Sequence, residues 1–347
     1  MMKIKKGPIL RASLFFLFIM IWPKIGGVLI GPMIPATMSY PARLILTHII
    51  MFILPAIGYV LVTRQKFKRV FKLNRIGIKD ICIAIIIGFI AQPVMAFFAY
   101  IASFFFTNDV AGMMSDLNST PLWIMIIMIG VTPSISEEIT MRGIILSGYD
   151  FKNKHIAAVM SGLVFGIIHM NPHQFLYAFV MGMIFGYMVR AANSIFVTMI
   201  AHFTINTSQL LLQRGMAVVQ KAAGESGVID PEEAMSMLHS IGMGERIAVG
   251  VFYGAISLVG FFIIRALIRV LENSRVKRVR AGIESYAPAG EYARLEDIDS
   301  RMDASFGIDT VREYGYSREE IKNEKVVNIP FIIGVIIFIV SMVSTMI

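Results

Sequence analysis

Apolar runs long enough to cross a bilayer recur along the chain, broken by turns rich in lysine, arginine, glycine or asparagine. A helical span needs about 20 mostly apolar residues. The first run, Ala12 to Ile34, is interrupted by Pro23 and exceeds the apolar core of a cleaved signal, so a retained span is expected. The second covers Leu44 to Val62, and the third, Ile81 to Phe106, carries Gln92-Pro93 at mid-depth. A proline there removes a helical N–H and leaves carbonyls for neighbours to satisfy. The fourth, Pro121 to Tyr149, contains Ser134-Ile135-Ser136-Glu137-Glu138-Ile139-Thr140-Met141-Arg142-Gly143. The fifth runs from Ile156 to Met170, the turn Asn171-Pro172-His173-Gln174 leads into the sixth, Phe175 to Val189, and the seventh is Ile195 to Leu212.

From Gln213 to Arg246 the chain turns polar, with Asp230-Pro231-Glu232-Glu233 as a helix start, aspartate as cap and proline at the first helical position. An eighth span, Ile247 to Ile268, precedes a soluble stretch, and Val326 to Met346 is the last. The fold class is all-α, a polytopic membrane protein with about nine transmembrane helices, eight being the alternative. The expected division is 1–120, amino-terminal helices; 121–212, core; 213–246, polar loop; 247–268, span; 269–325, soluble segment; 326–347, last span.

Composition sharpens this picture. Apolar residues make up 56% of 347 and charged residues 16%, with a mean hydropathy of +0.71, too high for a soluble domain. A net charge of +9 could point to nucleic acid. Its placement argues otherwise. Lys3, Lys5, Lys6 and Arg11, the Arg64–Lys79 loop, Lys152 and Lys154, Arg190 and the Arg269–Arg280 stretch fall on one side if each span crosses once. Basic loops mark the cytoplasmic side, so the amino terminus is expected in the cytoplasm of a multi-pass cell-membrane protein, with no nucleic-acid partner. The single Cys82 excludes an internal disulfide and any multi-cysteine metal site.

Glu137, Glu138 and Arg142 sit deep in an apolar run, where each ionisable group costs roughly 2.5–3.5 kcal/mol on insertion scales and is by default functional. Glu138 and Arg142, four apart, form an expected ion pair. Glu137, rotated by about 100° from Glu138, is left to face a cavity. By a rise of about 1.5 Å per residue, Glu137 lies about 18 Å deep, His169 about 20 Å, His202 about 12 Å and Asn206 about 18 Å. His202 and Asn206 share a helix face and can aim donors at one spot. Gly162/Gly166 and Gly182/Gly186 favour close approach of the fifth and sixth helices. His48 and His155 fall near predicted membrane boundaries, His239 in the polar loop, and His173 in a turn where solvation is expected.

Glu137-Glu138-x-x-x-Arg142, Phe165-x-x-x-His169 and His202-x-x-x-Asn206, in that order within membrane segments, resemble the three motifs of the CAAX prenyl protease 2-like family. This is the CAAX-protease and bacteriocin-processing (CPBP) group of intramembrane proteases. Asn171-Pro172-His173-Gln174-Phe175, Tyr177-Ala178-Phe179 with Gly182, and Asn193-Ser194-Ile195 are similar to bacterial members. The resemblance covers about Trp123 to Gln209. It implies an endopeptidase acting on membrane-embedded or lipid-anchored substrates. Glu137 and His169 would activate a water, His202 and Asn206 would hold the oxyanion, Glu138 and Arg142 would support the site, and Phe165 would pack beside it.

A His₂Glu zinc site of Glu137, His169 and His202 stays open as an alternative to metal-free water activation, although no HExxH pair is present. Two other functions also stay open. A carrier with a midplane carboxylate would show an internal repeat, and no duplicated polar motif is found. A non-catalytic membrane partner, such as an immunity or sorting factor, would keep the fold without needing the site.

Overall fold

The helices follow the apolar runs because a backbone in lipid must satisfy its own hydrogen bonds. A computed structural model describes residues 7–107, 117, 120–222, 236, 240–282 and 323–346. Nine long helices appear in the described residues: α1 Pro8–Ile30, α2 Tyr40–Thr63, α3 Ile78–Ala102, α4 Leu122–Gly148, α5 Lys154–Ile168, α6 Pro172–Ala192, α7 Phe196–Ala222, α8 Met243–Arg280 and α9 Ile329–Met346. Six of them (α1 with its short extension to Met33, α2, α3, α4, α6 and α8) are long and apolar enough to cross a membrane, and α5 and α9 are shorter apolar helices. The protein is an all-α polytopic membrane protein.

Helix ends differ from the expectation in three places. α6 starts at Pro172, because Asn171 Oδ1 caps the Gln174 N–H at 3.0 Å and proline takes the first helical position. His173 therefore sits in a helical turn and is buried, not solvated. α7 runs past Leu212 to Ala222, and α8 begins at Met243 and continues to Arg280. The 38 residues of α8 span about 57 Å, well beyond the ~30 Å hydrocarbon core. Its far end lies against the bundle, with Leu271 and Arg275 buried, so residues 269–280 are not a free soluble stretch. The expected helix start at Asp230 and most of the 269–325 segment lie outside the described residues.

α5 packs chiefly on α6 and α8 chiefly on α3, where α7 packs as well. The four glycines set the first contact. A Cβ on Gly162 would stand 2.6 Å from Phe179 O, and one on Gly182 would stand 2.7 Å from Gly162 Cα. Backbones this close admit no larger residue. Mid-depth Gln92, beside the in-helix Pro93, donates to Ser208 Oγ on α7 at 2.9 Å.

The basic segments gather at one end of the bundle. Asp150 accepts from Lys72 at 2.5 Å and from Arg190 at 3.0 Å. Arg190 also holds Lys152 O at 3.1 Å, and Arg275 reaches Arg190 O at 3.4 Å. Arg278 pairs with Asp80 and holds Ala192 O at 3.2 Å. Burial presses the Lys72 ammonium below the ordinary lysine range, against the pull of Asp150. At the same end Glu324, just before α9, caps α1 by accepting from the Leu10 N–H at 2.8 Å and the Ile9 N–H at 3.2 Å. The basic turns thus share one face, as alternating single crossings require.

Candidate active site

α4 is the helix that makes the site. It is not one regular α-helix. Two π-helical turns, Ile126–Val131 and Ile139–Ile145, bracket an α-helical segment, Thr132–Glu138. Pro133 has no N–H to offer the Ile129 carbonyl four residues back. Asn206 of α7 supplies that donor instead, Nδ2 to Ile129 O at 2.9 Å. Asn206 is therefore partly engaged, with one hydrogen of its amide nitrogen still to give.

Glu138 is the hub. Its Oε1 accepts from Arg142 at 2.9 Å and from His202 Nδ1 at 3.1 Å, and both partners of the i,i+4 pair are fully buried. Oε2 carries no hydrogen bond, since the nearby Thr198 hydroxyl donates to Ile195 O at 3.0 Å. Beneath Glu138, the Arg142 guanidinium lies over the Phe165 ring at 4.3 Å and the Phe185 ring at 5.0 Å, a desolvated cation–π arrangement. Phe165 is thus a platform for the arginine as well as packing. Its ring meets His169 edge-on at 4.8 Å and His202 at 6.1 Å.

Glu137 is one step around the helix, and its side chain keeps 13% of its exposure where Glu138 keeps none. Its nearest charged partner is His202 Nε2 at 4.0 Å, too far for a hydrogen bond and close enough for one water to bridge. An ionised carboxylate only accepts, so the bond to Glu138 puts a proton on His202 Nδ1 and turns Nε2 toward Glu137. His169 ends α5, and its Nδ1 donates to Phe165 O at 2.7 Å, which leaves Nε2 as its basic nitrogen. Met170, at φ 49°, adopts the left-handed conformation that breaks the chain into the Asn171 cap.

The structure therefore gathers Glu137, Glu138, Arg142, Phe165 and His202 around one point. Asn206 is tied to the neighbouring turn, and His169 is held at the end of its helix. Sequence reasoning passed over His48. Placed at a membrane boundary by the apolar pattern, it lies instead on α2, with Nδ1 2.9 Å from Ser136 Oγ, and interacts electrostatically with Glu137, His202 and His169. A histidine inside an apolar run was the signal that could have found it. Tyr177 of α6 also feels the charge of Glu137. Among the described residues no group of three His, Cys, Asp or Glu side chains is arranged to hold a metal ion.

Residues 119–208 match the family described as Type II CAAX prenyl endopeptidase Rce1-like. A Bacillus subtilis (strain 168) protein named "Putative membrane peptidase YdiL" is 29% identical over 108 residues, which is 31% of this chain and 43% of that protein. The chain thus spans less than half the length of this curated relative. No solved structure matches it. The matched segment holds the whole of α4, α5 and α6 and the site-bearing part of α7, whereas α1–α3, α8 and α9 lie outside it. That segment, about a quarter of the chain, carries all three motifs and resembles the Type II CAAX prenyl endopeptidase Rce1-like family.

Proposed function

We propose that the protein is an intramembrane endopeptidase that hydrolyses peptide bonds of membrane-embedded or lipid-anchored proteins with a water activated by Glu137. The observation that carries this reading is the contrast between adjacent carboxylates. Glu138 is held through Oε1 by Arg142 and His202, while Glu137 faces His202 Nε2 at 4.0 Å without a hydrogen bond. A carboxylate whose oxygens make no hydrogen bond can take a proton from a water placed against it, as a general base must.

In this reading a water between Glu137 and the imidazoles attacks the substrate carbonyl, and Glu137 takes its proton. The uncommitted Nε2 of His169 receives or relays that proton to the leaving amine. His202, oriented through Nδ1 by the Glu138 carboxylate at 3.1 Å, donates to the oxyanion from Nε2 when that nitrogen carries a proton. The second amide hydrogen of Asn206 is the other donor. Preorganised donors of this kind lower a barrier by about 2.7–4 kcal/mol each. No step runs through a metal, and chelator treatment is expected to leave the rate within about twofold. The same reading places the protein in the cell membrane, with the basic end of the bundle and the amino terminus in the cytoplasm. Its substrates share the bilayer, and no nucleic acid is involved.

The test uses the full chain in proteoliposomes with a membrane-anchored reporter peptide and, in parallel, a farnesylated carboxyl-terminal peptide. Cleavage by the wild type, lost in Glu137→Ala, supports the peptidase. Ion flux abolished by the same substitution, with no cleavage of either peptide, would favour a carrier instead.

A further inference from the structure

α2, which lies outside the family-matched segment, brings one more residue to the site. His48 is half-buried one position before the π-helical turn Ile49–Ile53 and rests against the Phe52 ring at 5.4 Å. Its Nδ1 is 2.9 Å from the hydroxyl oxygen of Ser136, the residue that precedes Glu137. That hydroxyl gives its hydrogen to Thr132 O at 2.8 Å. The oxygen therefore accepts from His48, which assigns the proton to Nδ1 and leaves Nε2 as the basic nitrogen.

The segment this bond grips needs holding. Thr132–Glu138 has a π-helical turn on each side, and every inserted residue turns the helix face by about 100°. Its rotation is thus set by side chains that reach it from outside. Asn206 holds Ile129 O just before it, and His202 holds Glu138 at its end. Both of these ties come from α7. The bond from His48 to Ser136 comes from α2 and grips the segment next to Glu137.

We infer that His48 is a positioning residue of the peptidase site proposed above, fixing through Ser136 the rotation at which α4 presents Glu137. It also sets a second imidazole, after His202, within electrostatic reach of the Glu137 carboxylate. The inference rests on the proposed function for its kinetic consequence and on geometry alone for the bond.

The experiment compares His48→Ala, His48→Asn and His48→Gln with wild type and Glu137→Gln in the proteoliposome cleavage assay, with thermal unfolding recorded for each. Misplacing a catalytic group by about 1 Å costs up to a hundredfold, so His48→Ala should lower kcat between about ten- and a hundredfold with little change in KM. Asparagine places its amide nitrogen where Nδ1 stands and should restore most of the rate. Glutamine places its nitrogen near Nε2 and should not. The inference is overturned if His48→Ala stays within about twofold of wild type while Glu137→Gln is inactive, or if asparagine does no better than alanine. A second arm needs no substrate. In protein labelled with nitrogen-15 histidine, His48 should show a proton on Nδ1 in the wild type and lose that preference in Ser136→Ala. A wild-type proton on Nε2 would contradict the bond. If Glu137→Gln cleaves like wild type, the peptidase reading fails, and the tautomer still decides whether the tie exists.

Discussion

Buried carboxylates appear in two regions of this bundle and are treated differently. At the basic end Asp150 uses both oxygens, one on Lys72 and one on Arg190, and Asp80 is gripped by Arg278. In the middle of α4, Glu138 is similarly occupied by Arg142 and His202, but its neighbour Glu137 makes no hydrogen bond among the described residues. On the proposed reading, the same functional group is an anchor where cationic or imidazole partners hold it and a reagent where none does and a water can approach. Adjacent positions on one helix separate these roles because a step of one residue turns the side chain by about 100°.

Breaking the anchors should cost stability, and disturbing the reagent should cost rate. The largest stability effect is expected at Arg142. Arg142→Ala strands Glu138 in a site with no exposure, and losing one partner of a buried pair costs about 3–5 kcal/mol. Denaturation in mild detergent would register this as a large fall in the unfolding midpoint. Asn206→Ala should sit on the other side of the comparison. On the proposed mechanism it removes an oxyanion donor worth about 10²–10³ in kcat, and it strips Ile129 O of its partner, so steady-state kinetics should suffer more than melting temperature. A smaller loss is expected from Gly162→Ala, whose methyl group would meet Phe179 O at 2.6 Å and the Met183 backbone nitrogen at 2.8 Å. Overpacking of this kind costs about 1–3 kcal/mol and should be visible in thermal unfolding. Asp150→Asn should cost least, about 1–2 kcal/mol at a site that keeps 13% exposure, with cleavage per folded molecule unchanged.

Much of this contrast was legible in the sequence. The nine apolar runs, the Glu138–Arg142 spacing and the small-residue contact between α5 and α6 follow from hydropathy and period alone. What escaped were features that depend on neighbours. The π-helical turns of α4 leave no mark in hydropathy, yet they decide which carbonyls are free and why Asn206 turns to Ile129. His48 looked peripheral because its apolar run starts at Leu44. The helix begins at Tyr40, which places His48 about 12 Å along it, level with Ser136. The end of α8 read as soluble because of its arginines, but Arg275 and Arg278 are spent on carbonyls and Asp80 at the basic end. His173 looked solvated because Asn-Pro suggests a turn, and here the pair starts a helix.

The most direct measurement sets Glu137→Gln beside Glu138→Gln, recording kcat and the thermal unfolding midpoint of each in the same proteoliposome preparation. The account predicts that Glu137→Gln loses cleavage by about 10²–10⁴ with its midpoint unmoved, and that Glu138→Gln lowers the midpoint. Glu137→Gln cleaving at the wild-type rate, or unfolding as readily as Glu138→Gln, would contradict it.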